Sequence, residues 1–321
     1  MAACPFFGRC GGCKFDFADE NYRTAKAAGL PRIENMSAPV WIKGGTRRRA
    51  DFAFAGGRFG FYEHHSKTIV PITNCPNLLP EINALIGPLG RLPYSGSGSV
   101  LVTKCDNGID VAVTSDIGYF SPEFRDAAAR LDVARVTWNG RSVVTHTTPF
   151  IDISGHRVEF PAGAFLQPSA QGEAALRHFV TSRASGAGRV ADLFCGLGNF
   201  TFALNADGFD IAGPHHKRDL FKNPVTRKML ASYDCVVIDP PRAGAMAQCT
   251  EIAASPVPRV IYISCNPTTF MRDKQILERG GYQVTELVPV DQFPGTAHWE
   301  IAAVFTRIGG RYMCAAAATN H

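Results

Sequence analysis

Three groups of residues in this chain have types and spacings that can do chemistry. The first is Ser264-Cys265-Asn266-Pro267, which follows the apolar run Val260-Ile261-Tyr262-Ile263. A strand ending there puts Cys265 at the carboxyl edge of a parallel sheet, where open α/β folds hold their ligands. A thiolate at that edge is a candidate nucleophile. The second is Asp192-Leu193-Phe194-Cys195-Gly196-Leu197-Gly198-Asn199-Phe200, a glycine loop between a strand and a helix. Glycines let the backbone approach a cofactor closely, and the helix start offers unpaired N–H groups. The third is Cys4, Cys10 and Cys13, with Gly11 and Gly12 letting the backbone wrap. Four-coordinate metal centres and clusters need one more ligand. Cys75 in Asn74-Cys75-Pro76 is the best candidate. The spacing suits a [4Fe–4S] cluster and a four-cysteine zinc equally.

Two further segments point to the same sheet edge. Asp239-Pro240-Pro241-Arg242 follows the apolar run Cys235–Ile238, and two prolines drive the chain off the strand path, presenting Asp239 there. Glu300, in His298-Trp299-Glu300, enters an apolar strand; burial there raises a carboxyl pKa and makes a base. Arg47-Arg48-Arg49 lies near Trp41, Phe52, Phe59, Phe61 and Tyr62. Cations for phosphates and rings for unstacked bases suit single-stranded RNA, although a solvated face fits the pattern as well. His64-His65 and His215-His216 read as surface residues.

The elements that must position these groups divide the chain. At 321 residues, 45% hydrophobic and 19% charged, it is long enough for two cores. Net charge is +5, which permits a polyanionic partner. No apolar run approaches the roughly 20 residues of a membrane span, and no secretory signal precedes the ten cysteines. Reduced cysteines, a cytoplasmic location and a monomer are expected. Residues 1–36 carry the cysteine motif. Residues 37–160 read as short strands, with near-alternating patterns at 49–54, 68–72, 100–103 and 110–114, a mostly antiparallel β domain carrying the fourth cysteine and suited to RNA. Gly96-Ser97-Gly98-Ser99 reads as a turn. From 161 to 321 a helix at 169–181 and strands at 189–194, 235–238, 260–263, near 284–288 and at 299–305 imply an α/β, doubly wound sheet.

Together these segments resemble the S-adenosylmethionine-dependent RNA uracil-5-methyltransferases, and the resemblance covers nearly the whole chain. It rests on Cys4-Pro-x4-Cys10-Gly-Gly-Cys13 with Cys75-Pro76, on Phe165-Leu166-Gln167, on Asp192 to Asn199, on Asp239 to Arg242, and on Ser264 to Pro267 followed by Phe293-Pro294-x-Thr296-x-His298-x-Glu300. The resemblance implies a Rossmann-like class I methyltransferase domain. It implies a [4Fe–4S] cluster on Cys4, Cys10, Cys13 and Cys75, with S-adenosylmethionine held by Gln167, Phe194, Asn199 and Asp239. It implies Cys265 as nucleophile toward uracil C6 and Glu300 as the base that takes the C5 proton. Because the chain begins at the cysteine motif, it is most similar to the branch that acts on 23S rRNA, with tRNA as the other RNA partner. A non-catalytic RNA-binding derivative and a zinc-stabilised hydrolase using Cys265 are the alternative readings.

One departure stands out. Only 40 residues separate Gly198 from Asp239, where the family carries a strand, a helix and a further strand, with an acid for the cofactor ribose. The sheet is expected to be contracted there. Asp210 and Asp219 are the nearby acids, and neither reads as the end of a clean strand.

Overall fold

The structure, a computed structural model, describes residues 4–308; positions 309–321, which the sequence reading assigned to the third domain, lie outside the described residues. The cysteine segment leads into α1 (Tyr22–Ala27) and the short strand β1 (Val40–Trp41). A seven-stranded, mostly antiparallel sheet follows, built from β2 (Arg49–Ala55), β3 (Arg58–Tyr62), β4 (Ile69–Val70), β5 (Ser97–Cys105), β6 (Gly108–Ser115), β7 (Arg135–Trp138) and β8 (Arg141–Thr145) in the order β4-β3-β2-β5-β6-β7-β8. Only β6 and β7 pair in parallel. Their connection carries α3 (Pro122–Ala128), while α2 (Pro80–Gly90) covers the apolar face with Ile82, Leu85, Ile86 and Leu89. The β7–β8 hairpin closes on Asn139 and Gly140, both at positive φ, the combination that matches strand twist in a two-residue turn. A separate hairpin of β9 (Phe150–Ile153) and β10 (His156–Glu159) leads to the second domain.

Sequence reading missed α2 and α3 and misplaced the glycine–serine stretch. Residues 97–99 belong to β5, not to a turn. A Cβ on Gly98 would lie 1.9 Å from the Thr114 carbonyl oxygen and 2.9 Å from the Phe54 ring, so this glycine serves close strand packing.

The second domain contains α4 (Ala170–Ala184), β11 (Val190–Leu193), α5 (Asn199–Leu204), β12 (Asp207–Asp210), β13 (His216–Lys217), α6 (Arg227–Leu230), β14 (Cys235–Ile238), α7 (Met246–Ala253), β15 (Arg259–Ser264), α8 (Pro267–Arg279), β16 (Tyr282–Asp291) and β17 (Glu300–Arg307). Its eight-stranded sheet runs β1-β16-β17-β15-β14-β11-β12-β13. β17 is antiparallel to both neighbours and every other pair is parallel. The α/β, Rossmann-like expectation is met. Strands β11 and β14 are buried at every residue, and β15 at all but its first. That explains their largely apolar sequences, with Asp192 of β11 the buried exception: helices cover both faces of the sheet.

The expected contraction is present. β12 follows α5 almost directly, and only residues 211–215 link the parallel neighbours β12 and β13. Parallel strands are ordinarily joined by a crossover of a dozen or more residues. The N-terminal segment also joins this sheet. β1 pairs with β16, and the buried Lys26 of α1 makes an ion pair with Asp291, which accepts a further hydrogen bond from the Tyr22 hydroxyl.

Candidate active site

Cys265, Asp239 and Glu300 meet at one edge of the large sheet. Cys265 is the single residue between the end of β15 and the cap of α8. Asn266 caps that helix by accepting from Thr268 N–H at 3.1 Å, and Pro267 occupies its first turn, so strand and helix are both forced to break around the thiol. Asn266 Nδ2 donates to the Arg242 carbonyl oxygen at 2.9 Å. Its amide thus locks the two edge loops together. Asp239 follows β14 directly. Glu300 opens β17 and is buried beside Trp299.

The electrostatics make these groups one unit. Burial raises the Asp239 pKa. Burial first and Asp239 second raise that of Glu300, opposed by a hydrogen bond from Gln292. The Cys265 thiol is pushed up to about 11 by burial, then by Glu300 and Asp239, with Arg242 opposing. At neutral pH Cys265 therefore rests as a thiol, flanked by carboxyls that titrate closer to neutrality than usual. A pair of carboxyls with raised pKa beside a thiol can take and return protons near pH 7. Gln167 lies in the same cluster: its Nε2 approaches Asp239 Oδ2 at 3.4 Å, and its Oε1 accepts from Gln292 Nε2 at 2.9 Å. The structure therefore brings together four of the sequence-named residues (Cys265, Glu300, Asp239 and Gln167) and adds Gln292.

Phe194 and Asn199 lie on the glycine loop. Phe194 stands at φ +61° and packs against Phe221, with ring centroids 5.3 Å apart. Gly198 at φ +96° caps α5. Asn199 Oδ1 accepts from Arg177 Nε at 2.9 Å and Nη2 at 2.7 Å, while its buried Nδ2 has no partner among the described residues. Asp192, wholly buried, is pushed up to about 7 mainly by burial; one oxygen accepts from Thr201 Oγ1 at 2.6 Å and the other has no partner among the described residues. Unpaired buried polar atoms over a glycine turn fit, in kind, a polar cofactor such as S-adenosylmethionine.

The contracted segment corrects two readings. Asp210 does end a strand, β12, in line with the glycine loop, and its carboxylate accepts from Gly196 N–H and Ala212 N–H, each at 2.9 Å. His215 is not a plain surface residue. Its Nε2 sits 2.5 Å from where a Gly198 Cβ would be, and Gly213 packs equally closely on the Gly196 carbonyl oxygen. Residues 211–215 thus lie across the glycine loop itself.

Burial raises the Cys10, Cys13 and Cys75 thiols. For Cys13 the push reaches about 12, with Cys75, Cys10 and Cys4 adding to it in that order, so the four sulfurs share one neighbourhood. Gly12 N–H points at Cys10 Sγ at 3.4 Å and Asn77 Nδ2 at Cys13 Sγ at 3.6 Å, donors that suit thiolates. Among the described residues no three Cys, His, Asp or Glu side chains stand in a metal-ligating arrangement. The cysteine segment is distant from Glu300 in sequence but not in space. Lys14 and Phe15 N–H donate to the Gly295 carbonyl oxygen at 2.7 and 2.8 Å, and a Cβ on Gly295 would meet Cys13 Sγ at 2.8 Å.

The basic–aromatic cluster is largely spent inside the protein. Phe52 and Phe59 belong to the small-domain core. Arg47 Nε donates to the Arg49 carbonyl oxygen at 2.8 Å. Arg48 pairs with Glu173 of α4, which also holds Arg177. Arg49, half-buried like the other two, holds its guanidinium 4.9 Å from the ring centre of Phe165, which is 63% exposed. Such an exposed ring beside a cation at the site's margin can stack a base. Phe165 sits in the Phe165-Leu166-Gln167 segment, a signal that was present in the sequence. Glu173 and Arg177 left no signal beyond an ordinary i,i+4 helix pair.

Comparison with known proteins agrees with this geometry. The family description tRNA (Uracil-5-)-methyltransferase matches residues 216–308, beginning where the contracted segment ends. An uncharacterised RNA methyltransferase of Brucella melitensis is 36% identical, with 95% of this chain and 84% of that protein covered. The 349 aligned positions exceed the 321 residues of this chain, so that relative carries residues this chain lacks. The 23S rRNA (uracil(1939)-C(5))-methyltransferase RlmD of Edwardsiella ictaluri is 30% identical, covering 94% and 81%. The crystal structure of Pyrococcus abyssi tRNA (uracil-54, C5)-methyltransferase with S-adenosyl-L-homocysteine superposes with a TM-score of 0.66 over 89% of this chain and 82% of that one, at 21% identity, which establishes the shared fold.

Proposed function

Since the chain belongs to the S-adenosylmethionine-dependent RNA uracil-5-methyltransferases, we propose that it methylates C5 of a uridine in RNA, with 23S rRNA the favoured substrate and tRNA the other, through a covalent adduct to Cys265. The observation that carries this reading is the convergence of a thiol and two carboxyls with raised pKa at one sheet edge.

Uracil C5 is a poor nucleophile. A neighbouring carboxylate takes the Cys265 thiol proton as the sulfur adds to C6, which makes C5 enolate-like and able to attack an electrophilic carbon. S-adenosylmethionine, when bound, supplies that carbon as a methyl group on a sulfonium, and Gln167, Phe194, Asn199 and Asp239 are the residues that would hold it. Glu300 then takes the C5 proton, C5 and C6 regain their double bond, and the Cys265 thiolate leaves. The target base must be unstacked to reach a buried edge; Phe165 and Arg49 are placed to receive it or its neighbour. Support for the four-cysteine [4Fe–4S] cluster is the shared neighbourhood of the sulfurs. Its place against Gly295 suits a role in shaping the Glu300 loop.

A second reading, RNA binding without turnover, is favoured by one observation: His215 lies against Gly198. Transfer of labelled methyl from S-adenosylmethionine to unmodified 23S rRNA and to tRNA, by anaerobically purified protein beside its Cys265→Ala variant, decides between them. Label on uracil C5 with the parent alone upholds methylation. No label on either RNA, with RNA still bound, upholds the second reading.

A further inference from the structure

Gln292 joins the two halves of the site. It follows β16 directly and is 1% exposed. Its Nε2 donates to Gln167 Oε1 at 2.9 Å and to Glu300 Oε2 at 2.8 Å. A primary amide has two N–H donors, and both are used. Gln167 in turn reaches Asp239, so a continuous line runs Asp239, Gln167, Gln292, Glu300. The orientation of the amide is fixed from behind. An added Cβ on Gly172 of α4 would come within 2.5 Å of Gln292 Oε1 and 2.7 Å of its Cβ. The Oε1 atom has no partner among the described residues. Turning the amide over would aim that oxygen at the Glu300 carboxylate and at Gln167 Oε1, two acceptors, which is worse. The NH2 edge is therefore held toward the site.

We infer that Gln292 is a positioning residue for the base: its two N–H groups hold the Glu300 carboxyl in place and tie it to the side chain that touches Asp239. The inference rests on the reading of Glu300 as the base. The groups that face Glu300 are Asp239 from the end of β14, Cys265 from the end of β15, and Gln292 from the end of β16. Two are acidic, and Gln292 is the donor among them. It favours the charged carboxylate where burial and Asp239 oppose it. Without it Glu300 keeps its proton to higher pH and is free to turn. Removal of the C5 proton then slows. Because expulsion of Cys265 waits on that removal, the RNA adduct accumulates.

Gln292→Met keeps length and volume and removes both donors; Gln292→Glu keeps shape and replaces the donors with another acid. Three readouts apply to each: steady-state methyl transfer against pH, denaturation-resistant RNA–protein adduct on gels, and the Glu300 titration followed by carboxylate carbon-13 NMR in RNA-free protein. For Gln292→Met, kcat is expected to fall about 100-fold, while KM for the cofactor changes less than about threefold. The activity profile and the Glu300 midpoint both move to higher pH, and adduct builds up. A Met variant with parental kcat and pH profile, or with an unmoved Glu300 midpoint, overturns the inference. If melting shows the Met variant unfolded, the Glu variant decides on the same readouts. Failure of the functional reading looks different: the parent itself then transfers no methyl and forms no adduct, and the NMR midpoint still tests the hydrogen bond.

Discussion

The two halves of the large sheet follow different rules. On one side, β14 and β15 run into Asp239 and Cys265 and the antiparallel β17 starts at Glu300, and each of these residues sits at a break enforced by its neighbours: two prolines, a capped helix, a buried tryptophan. On the other side, β11 runs into the glycine loop, and only residues 211–215 join β12 to β13. The half proposed to do the chemistry is rigidly referenced; the half proposed to hold the cofactor is crowded by the chain's own His215. Chemistry and cofactor capture are thus separable here. A contraction that would seem to threaten the enzyme falls entirely on one of them.

The sharpest way to break the comparison is at the nucleophile. Cys265→Ala should cut methyl transfer by at least about 10⁴-fold, since the covalent route is lost, yet leave S-adenosylhomocysteine affinity by calorimetry nearly unchanged. A parallel loss of cofactor binding would show the halves to be one unit.

Next in size is the anchor beneath the catalytic half. Asp291→Ala strands the buried Lys26 ammonium and frees the Tyr22 hydroxyl. Breaking a buried pair from one side costs about 3–5 kcal/mol, measurable as a lower midpoint in urea unfolding.

Glu300→Gln sharpens the contrast through pH. The folded-state pKa of Glu300 lies above its unfolded value. The native state therefore holds its proton more tightly, and stability is lost as pH rises from the ordinary carboxyl range through the raised folded value. The neutral glutamine escapes this loss. The variant should be more stable than the parent by about 1–3 kcal/mol at pH 8, with the difference vanishing near pH 4, while its methyl transfer collapses.

The smallest effect belongs to the crowded half. His215→Ala opens the space over Gly198 and should tighten S-adenosylhomocysteine binding roughly tenfold, on the order of 1.4 kcal/mol. Weaker binding instead would mean that His215 is itself a ligand contact.

What could be read from sequence tracks burial. β11, β14 and β15 were legible because strands covered on both faces are mostly apolar, Asp192 being the buried exception in β11, and each is followed by a residue or loop that breaks it. Cys265, Asp239 and Glu300 were legible as strand-end residues for that reason. Gly98 was misread because a glycine kept for close packing has the same letter as one kept for a turn. Asp210 was named, but its place at a strand end was not read, because β12 is four residues long and its buried residues include Gly208. The aromatic cluster misled because Phe52 and Phe59, which alternate inward, look in sequence like rings free to stack on a base. Gln292 left no periodic signal: its role comes from a bond to Gln167, 125 residues away.

The N-terminus is sealed by the last described stretch of the chain. Lys26 waits for Asp291, β1 waits for Val290 and Asp291, and Cys13 is walled by Gly295. A ribosome adding about 5–20 residues per second takes some tens of seconds to travel that distance. For that time the N-terminal cysteines are made but Cys13 lacks its wall, and all are open to oxidants. In the finished fold the four keep partial exposure, so completing the chain narrows access to Cys13 from the Gly295 side without enclosing the group.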